Sequence, residues 1–534
     1  MAGKNLLSVI DFRGGLNLSA DLFALQDNES PSLLNVDPNI RGGLDRRRPI
    51  VETNSTALPG RISYLTQYNA SSGQYLIAAI KPTATVSTTN VLWRSNGLNF
   101  TAITLPTLPT VDSSGELNYS SATYKPAASN DNILYLQNGR QPCVKYDGAT
   151  APTALGQTLG TVGNVPVGAQ TASWHDRVWV ANTLESSTSY PNRIRFSQTN
   201  DPETFLSASY IDIESGRDGD AIQALVPLSD RLLVFKGQSI YMISGYDETT
   251  FASNLVSSTE GAVSANAVAV SEGICYFFSW PNGLYRLRPG SAPEFLFERL
   301  SPMTRNVGIS SLMKKRISVS VFGRRVWVSI PQDDSFIAIG STNFANMTYI
   351  WDPQLGKGGA WTRYGLGIGK GLTYSVTGQA SFSVAPGPNG RVLNIDKVGA
   401  TQDRLDGADT DIVSYYYTNW IDAGQPVTFK RWQRPRLVVE DYGNAVVGVD
   451  YYLDYAINQP VKITSYTTTG VPVAGVWGQN WNSMVWSFSN PENHSIEKLT
   501  SIGRARSVLL RFYNTGPDWG LNSISLPYQP TNFR

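Results

Sequence analysis

Asp230-Arg231-Leu232-Leu233-Val234-Phe235 and, a few residues on, Ile240-Tyr241-Met242-Ile243-Ser244-Gly245 form the stretch on which the fold turns. A polar turn leads into a β-branched and aromatic run, the chain reverses, and a second short strand follows. Phe251 closes the loop after it. The same unit recurs on both sides. Toward the N-terminus its apolar runs fall at 74–78, 132–136 and 176–180; toward the C-terminus they fall at 273–278, 325–329 and 381–384. From Asn132 onward the starts are about 43 to 56 residues apart. A period of ~40–55 residues with two to four strands per unit is the pattern of a β-propeller, whose blades hide a face only by stacking on their neighbours. Unrelated hairpins in a sandwich would need turns every ~8–12 residues but no longer period. Seven units can be counted, the first the weakest. The expectation is an all-β chain with a six- or seven-bladed propeller over 61–398, its apolar runs serving as the inner strands.

The flanks differ from the repeat. Residues 1–60 contain Asp11-Phe12-Arg13-Gly14-Gly15-Leu16-Asn17, Asn35-Val36 and Gly43-Leu44-Asp45-Arg46-Arg47-Arg48. They read as an extended N-terminal arm too short to own a core, with one short helix near 30–34, where Ser30 can cap and Pro31 suits the first helical position. The Gly- and Asp-rich stretch 399–411 reads as a linker. Residues 412–534 alternate apolar and polar in strand-length runs broken by Pro426, Pro435, Gly443 and Gly516. That predicts a separate C-terminal β-sandwich domain. Trp420, Trp432, Trp477, Trp481, Trp486 and Trp519 concentrate there, as core or as interface.

Composition removes several classes. The 534 residues are only 16% charged, and Lys+Arg 43 against Asp+Glu 42 leaves a formal charge of +1. No global basic excess draws the chain to nucleic acid. No window reaches ~18 uncharged apolar residues, so no transmembrane helix is expected. The apolar run 6–10 is too short for a signal-peptide core. Cys143 and Cys275 cannot build a disulfide scaffold, and His175 and His494 cannot build a His-rich metal site. A chain made and folded in a reducing cytoplasm is the expectation.

Candidate chemistry is correspondingly thin. His175 lies between Trp174 and Asp176 just before a strand and reads as structural; His494 reads as a residue of a polar surface loop. Cys275 sits within an apolar strand, where a buried inert thiol is the default. No phosphate-binding glycine loop occurs. The acidic groups Glu214, Asp218, Asp220 and Asp403, Asp406, Asp409, Asp411 have alternating oxygen ligands but match no calcium loop, so solvated turns are expected. Asp147, Glu248 and Glu294 occupy equivalent blade-edge turns, where turn chemistry explains an acid better than catalysis does. Arg46-Arg47-Arg48 and Lys314-Lys315-Arg316 are the two basic runs; a salt-bridged partner interface or phosphate contact would use them.

Three groups of residues then add up. Phe12-Arg13-Gly14-Gly15-Leu16-Asn17 with Asn35-Val36 and 43–47 form the first; Arg195-Phe196-Ser197-Gln198 with Asn200-Asp201-Pro202-Glu203-Thr204-Phe205, 220–222 and 232–236 form the second; Tyr417-Thr418-Asn419-Trp420-Ile421-Asp422-Ala423-Gly424 with Lys430-Arg431-Trp432 form the third. Together they resemble the tail nozzle (tail tubular protein B) family of short-tailed bacteriophages. The resemblance spans nearly the whole chain. It implies a structural virion protein, not an enzyme: a subunit of a hexameric tube below the portal and adaptor ring that conducts double-stranded DNA during ejection. The implied partners are further copies of the chain, the tail adaptor and tail fibres or spikes, and the implied location is the virion, after synthesis in the host cytoplasm. Neither a catalytic group nor a cofactor nor a metal is assigned. Partner-interface candidates are Arg46, Arg47 and Arg48, with Trp420 and Trp432. Two other expectations compete: a carbohydrate-binding or depolymerase propeller, whose exposed aromatics would stack on sugars, and a host receptor-binding tail protein.

Overall fold

The structure is a computed structural model that describes residues 5–531 apart from 23, 82–90, 96–98, 108–117, 128, 130, 150, 214–219, 306–310, 332–346, 357, 376–381, 388, 396, 398–399, 441–444 and 469–493. The chain divides into two compact units, one of residues 51–348 and 366–395, the other of 1–50, 349–365 and 396–534.

The first unit is the propeller. Five successive four-stranded antiparallel sheets each run up and down in chain order. In the fourth sheet the strands are Ile222–Leu228, Arg231–Lys236, Ile240–Ser244 and Ala252–Ser257. A sixth sheet contributes Ser318–Phe322 and Arg325–Ile330 to this unit. The seventh is made of Leu372–Tyr374, Phe382–Pro386 and Val392–Ile395, with Val51–Glu52 as its fourth strand. That last strand precedes the first sheet in sequence, so it ties the two ends of the repeat together. Asn54 reinforces the tie: its side chain donates to the Gly390 carbonyl at 3.1 Å and accepts from Val392 N–H at 2.8 Å.

The first strands of the seven sheets follow one another around a closed ring. Tyr64 bonds Ser121 at 2.7 Å from the first sheet to the second, and Ser120 Oγ bonds the Thr171 carbonyl at 3.2 Å from the second to the third. Gly371 N–H bonds Ser320 at 2.8 Å from the seventh to the sixth. Tyr374, Val384 and Val392 of the seventh sheet share one apolar cluster with Leu65 and Ile77 of the first. Seven blades among the described residues therefore close on themselves, and the count left open between six and seven is seven.

One expectation is corrected. The apolar runs are the second strand of each blade, not the innermost. Trp179, Leu232, Phe277 and Trp327 all lie on second strands and are almost fully buried. A second strand is covered on both faces by neighbouring blades, whereas an innermost strand shows part of itself to the central cavity. Left-handed residues make the turn between the two strands: His175 and Asp176 (φ 46° and 53°) in the third blade, Glu272 and Gly273 (φ 51° and 74°) in the fifth. Two consecutive positive-φ residues give the hairpin a twist that matches its strands.

The second unit is a β-sandwich fed by both ends of the chain. One sheet centres on Gly520–Pro530, the C-terminal strand, which pairs with Asn5–Val9, Leu44–Arg46, Lys430–Trp432 and Arg436–Glu440. The other sheet runs Leu33–Leu34, Val413–Tyr417, Val508–Thr515, Val446–Leu453, Lys462–Thr467. Short strands of residues 5–50 thus belong to the sandwich, where the sequence predicted an arm. Residues 30–34 hold the strands Glu29–Ser30 and Leu33–Leu34 in place of the expected helix. Ser30 Oγ bonds the carbonyls of Ser32 and Tyr417, at 2.8 and 2.7 Å, and caps no helix. The stretch expected as a linker contains the hairpin Asp403–Leu405/Ala408–Thr410. Its turn is Asp406-Gly407, both left-handed at φ 56° and 79°. Asp-Gly between short apolar-polar runs is a hairpin signal, and the glycine and acid content hid it.

Candidate functional site

The arginine run illustrates how the sandwich unit is held. Arg47 is 3% exposed and pairs with Asp403, whose carboxylate also accepts the Ile50 N–H at 2.8 Å. The Arg47 Nε donates to Asn35 Oδ1 at 2.9 Å, and Asn35 Nδ2 donates to the Val413 carbonyl at 2.7 Å. Arg46 pairs with Asp518 and donates to the Thr401 carbonyl at 3.2 Å. Only Arg48 of the three faces solvent. Arg46 and Arg47, expected at a partner interface, are instead spent inside the unit. Their carboxylate partners lie 472 and 356 residues further along the chain, so the two buried guanidinium forks cross-link distant segments.

The two tryptophans behave alike. Trp432 is fully buried, and its indole N–H bonds the Ala505 carbonyl at 3.2 Å. Trp420 is 6% exposed and packs on Tyr455 with ring centroids 5.0 Å apart. Both are core residues. Trp477, Trp481 and Trp486 lie outside the described residues. The neighbouring Lys430 ends its side chain on three carbonyls, of Gln425, Thr428 and Arg506, at 2.6 to 3.0 Å.

Two of the three groups that carry the family resemblance, the first and the third, meet in the sandwich unit. Phe12 meets Tyr416 edge-on at 5.4 Å, Asn35 bridges Arg47 to the strand Val413–Tyr417, and Asn419 donates to Asp27 at 3.0 Å. Of the central group, 195–205 form one locked loop in the third blade, while 222 and 232–236 lie on strands of the fourth. Arg195 grips Glu185 with two bonds of 2.6 and 2.7 Å, and Ser197 Oγ receives the Val178 N–H at 3.0 Å. Asn200 N–H bonds the Asp176 carbonyl at 2.8 Å. The Asn200 backbone is left-handed there, and Gln198 N–H closes the loop on the Thr204 carbonyl at 2.9 Å. Each of these strings is held by hydrogen bonds or ring packing within its own unit.

The acids weighed as catalytic candidates are each placed in a turn or an ion pair. Glu248 pairs with Arg177 at 3.1 Å, Glu294 with Arg286 at 2.7 Å, and Asp147 accepts the Ala149 N–H at 3.0 Å. His175 is a turn residue whose ring lies 4.1 Å from Trp174 and 5.1 Å from Tyr246. His494 begins the strand His494–Lys498, outermost in its sheet among the described residues, where a surface loop was expected. Cys143 and Cys275 are fully buried, and burial raises both thiols far above their ordinary range. Among the described residues no group of three His, Cys, Asp or Glu is placed to hold a metal ion, and residues 214–219 of the first acidic group lie outside them. Asp220 of that group accepts the Gly237 N–H at 2.7 Å. No helix is long and apolar enough to cross a membrane among the described residues.

Two surfaces remain as candidates for function. The first is a cavity of about 770 Å³ bounded by innermost strands of the propeller, with Val226, Val270, Val321 and Leu372 along it and Lys370 beside them. The second consists of exposed apolar residues of the sandwich unit. Leu6, Val427, Val461, Ile463 and Ile496 are all more than 60% exposed there. Ile463 lies on Lys462–Thr467 and Ile496 on His494–Lys498, each the outermost strand of its sheet among the described residues. Neither surface was singled out by the sequence. Isolated valines and isoleucines in alternating strands carry no mark of which sheet edge they will occupy.

No protein-family model and no curated protein matches the sequence. Solved structures do match. BamB from Moraxella catarrhalis is 11% identical with a TM-score of 0.34, over 66% of this chain and 98% of that one. The Cps50 (Swd1) β-propeller domain from Myceliophteria thermophila is 9% identical with a TM-score of 0.36, over 66% and 100%. A glycoside hydrolase is 10% identical with a TM-score of 0.28, over 88% and 99%. The propeller assignment stands on the strand pairing and ring closure described above.

Proposed function

We propose that this chain is a structural subunit of a short-tailed phage tail, a nozzle protein that assembles with copies of itself into a ring through which DNA leaves the particle. The observation that carries the reading is the placement of the first and third resembling groups. Phe12, Asn35, Arg47, Asn419 and Trp432 come from opposite ends of the chain and share one sandwich unit, knit by buried polar contacts. Residues that resemble a family because they build its scaffold belong in such a place; residues that resemble it because they catalyse would gather at a cleft.

The exposed apolar edges of the same unit support the assembly part. The edge of a sheet is a template for pairing with another chain, and exposed Ile463 and Ile496 add apolar surface to two outermost strands of the described residues. A second copy of the chain would cover both. Native mass spectrometry of the purified protein, alone and mixed with the tail adaptor, tests this. A closed oligomer of six copies is expected; a monomer under both conditions overturns the proposal.

A further inference from the structure

The basic run Lys314-Lys315-Arg316 has no part in the scaffold reading, and its position is informative. Lys315 and Arg316 close the short helix Ser311–Arg316, directly ahead of the sixth blade's innermost strand. They line a recess of about 20 Å³, room for one water-sized group. Arg61, the residue before the first blade's innermost strand, lines it too, as does Lys370, two residues before the seventh's. Asn118 and Asn266 stand at the corresponding places before the second and fifth. Five chain segments thus enter the ring beside one recess, and each brings a cation or an amide. Among the described lining residues none is Asp or Glu. Lys370 also borders the 770 Å³ central cavity, so the recess sits at a mouth of that cavity.

The chemistry favours an anion. Lys370 Nζ donates to the Ala265 carbonyl at 3.1 Å, whereas an ammonium has three donors. Burial pushes Lys370 down to about 8, with the Cys275 side chain as the neighbouring group that acts against the shift. Two arginines, two lysines and two asparagines line one water-sized space, and such residue types suit the oxygens of a phosphate group, which takes charge-assisted bonds from several directions.

We infer that the recess at this mouth of the propeller binds a phosphate-type oxyanion, one oxygen seated between Arg61, Lys315, Arg316 and Lys370. The group could arrive as free inorganic phosphate or as the phosphodiester of a nucleic acid. The inference concerns the propeller unit alone and holds whether or not the chain forms a ring.

The test is calorimetric titration of the full chain at fixed ionic strength, first with inorganic phosphate and then with a short oligothymidylate. Saturable binding with one phosphate per chain is expected, weakened at least about tenfold in Lys370→Met. Arg48→Met, which removes an exposed cation of the other unit, should bind as the unaltered chain does. Binding of the oligonucleotide alone, again lost in Lys370→Met, assigns the oxyanion to a nucleic-acid backbone. Absence of saturable binding for both ligands overturns the inference, as does binding that Lys370→Met leaves unchanged. Lys370→Met removes a half-buried charge from an apolar border, so the variant is expected to fold; far-ultraviolet circular dichroism checks that it has.

Discussion

In the propeller the residues that fill the core recur at matching positions: Trp179, Leu232, Phe277 and Trp327 each occupy the second strand of a blade. In the sandwich unit nothing recurs. Its order depends on single long-range contacts, Arg47 with Asp403, Arg46 with Asp518, and the first strand of the chain with the last. A ring of repeats distributes its stability over many equivalent apolar contacts. A sandwich closed by chain ends adds to its apolar core a few buried ion pairs, whose members are expensive to orphan.

That contrast can be broken by experiment. The largest effect is expected from Arg47→Met, which strands the Asp403 carboxylate in a buried site and should cost about 3–5 kcal/mol. Urea unfolding should show the loss in a transition separate from that of the propeller. Adding Asp403→Leu should restore much of it, since an apolar pair replaces a buried ion pair at little net cost. A double variant as unstable as the single one would refute this account of the pair.

Leu232→Ala should cost about 2–5 kcal/mol, by lost burial and a residual cavity. The loss should appear in the propeller transition and leave the other unchanged. Equal losses in both transitions would erase the distinction between the units.

Lys370→Met should be smaller and opposite in sign, stabilising the propeller at pH 7 by about 1–2 kcal/mol, a figure discounted for its partial exposure. The folded group sits near 8, below its ordinary 10.5. Below pH 8 the lysine is charged in both states and the folded chain carries the full penalty of burying it. Between pH 8 and 10.5 the unfolded chain binds more protons, so the stability of the unaltered protein rises with pH and the advantage of methionine shrinks. Thermal melts from about pH 7 to 10.5 measure this; an advantage that grows with pH would contradict it. Arg61, Lys315 and Arg316 share its recess, and burial holds the neighbouring Cys275 as a thiol.

The smallest effect on stability, within about 0.5 kcal/mol, is expected from Ile463→Asp with Ile496→Asp, since both side chains are exposed. Their effect on association should be large, and sedimentation of the double variant should give the monomer alone. Unchanged assembly would move the interface elsewhere.

The sequence made the propeller legible because its signal is repeated. One weak run, at 74–78, is outvoted by six others with similar spacing. It misplaced the apolar runs by one strand, since burial on two faces and position nearest the axis look alike in composition. The sandwich was legible only from its C-terminal half. Asn5–Val9 and Leu33–Leu34 are too short to declare their partners, which lie at the far end of the chain. Arg46-Arg47-Arg48 looked like an outward-facing patch because Asp403 and Asp518 are invisible as neighbours until the chain is folded. The recess was missed for the same reason: Arg61, Lys315 and Lys370 meet only when the ring closes.

The most direct test of the assembly reading is electron microscopy of the purified full-length protein, alone and with the tail adaptor. Rings or short tubes with sixfold symmetry and an open lumen are the predicted result. Single propellers that never associate under either condition would contradict it.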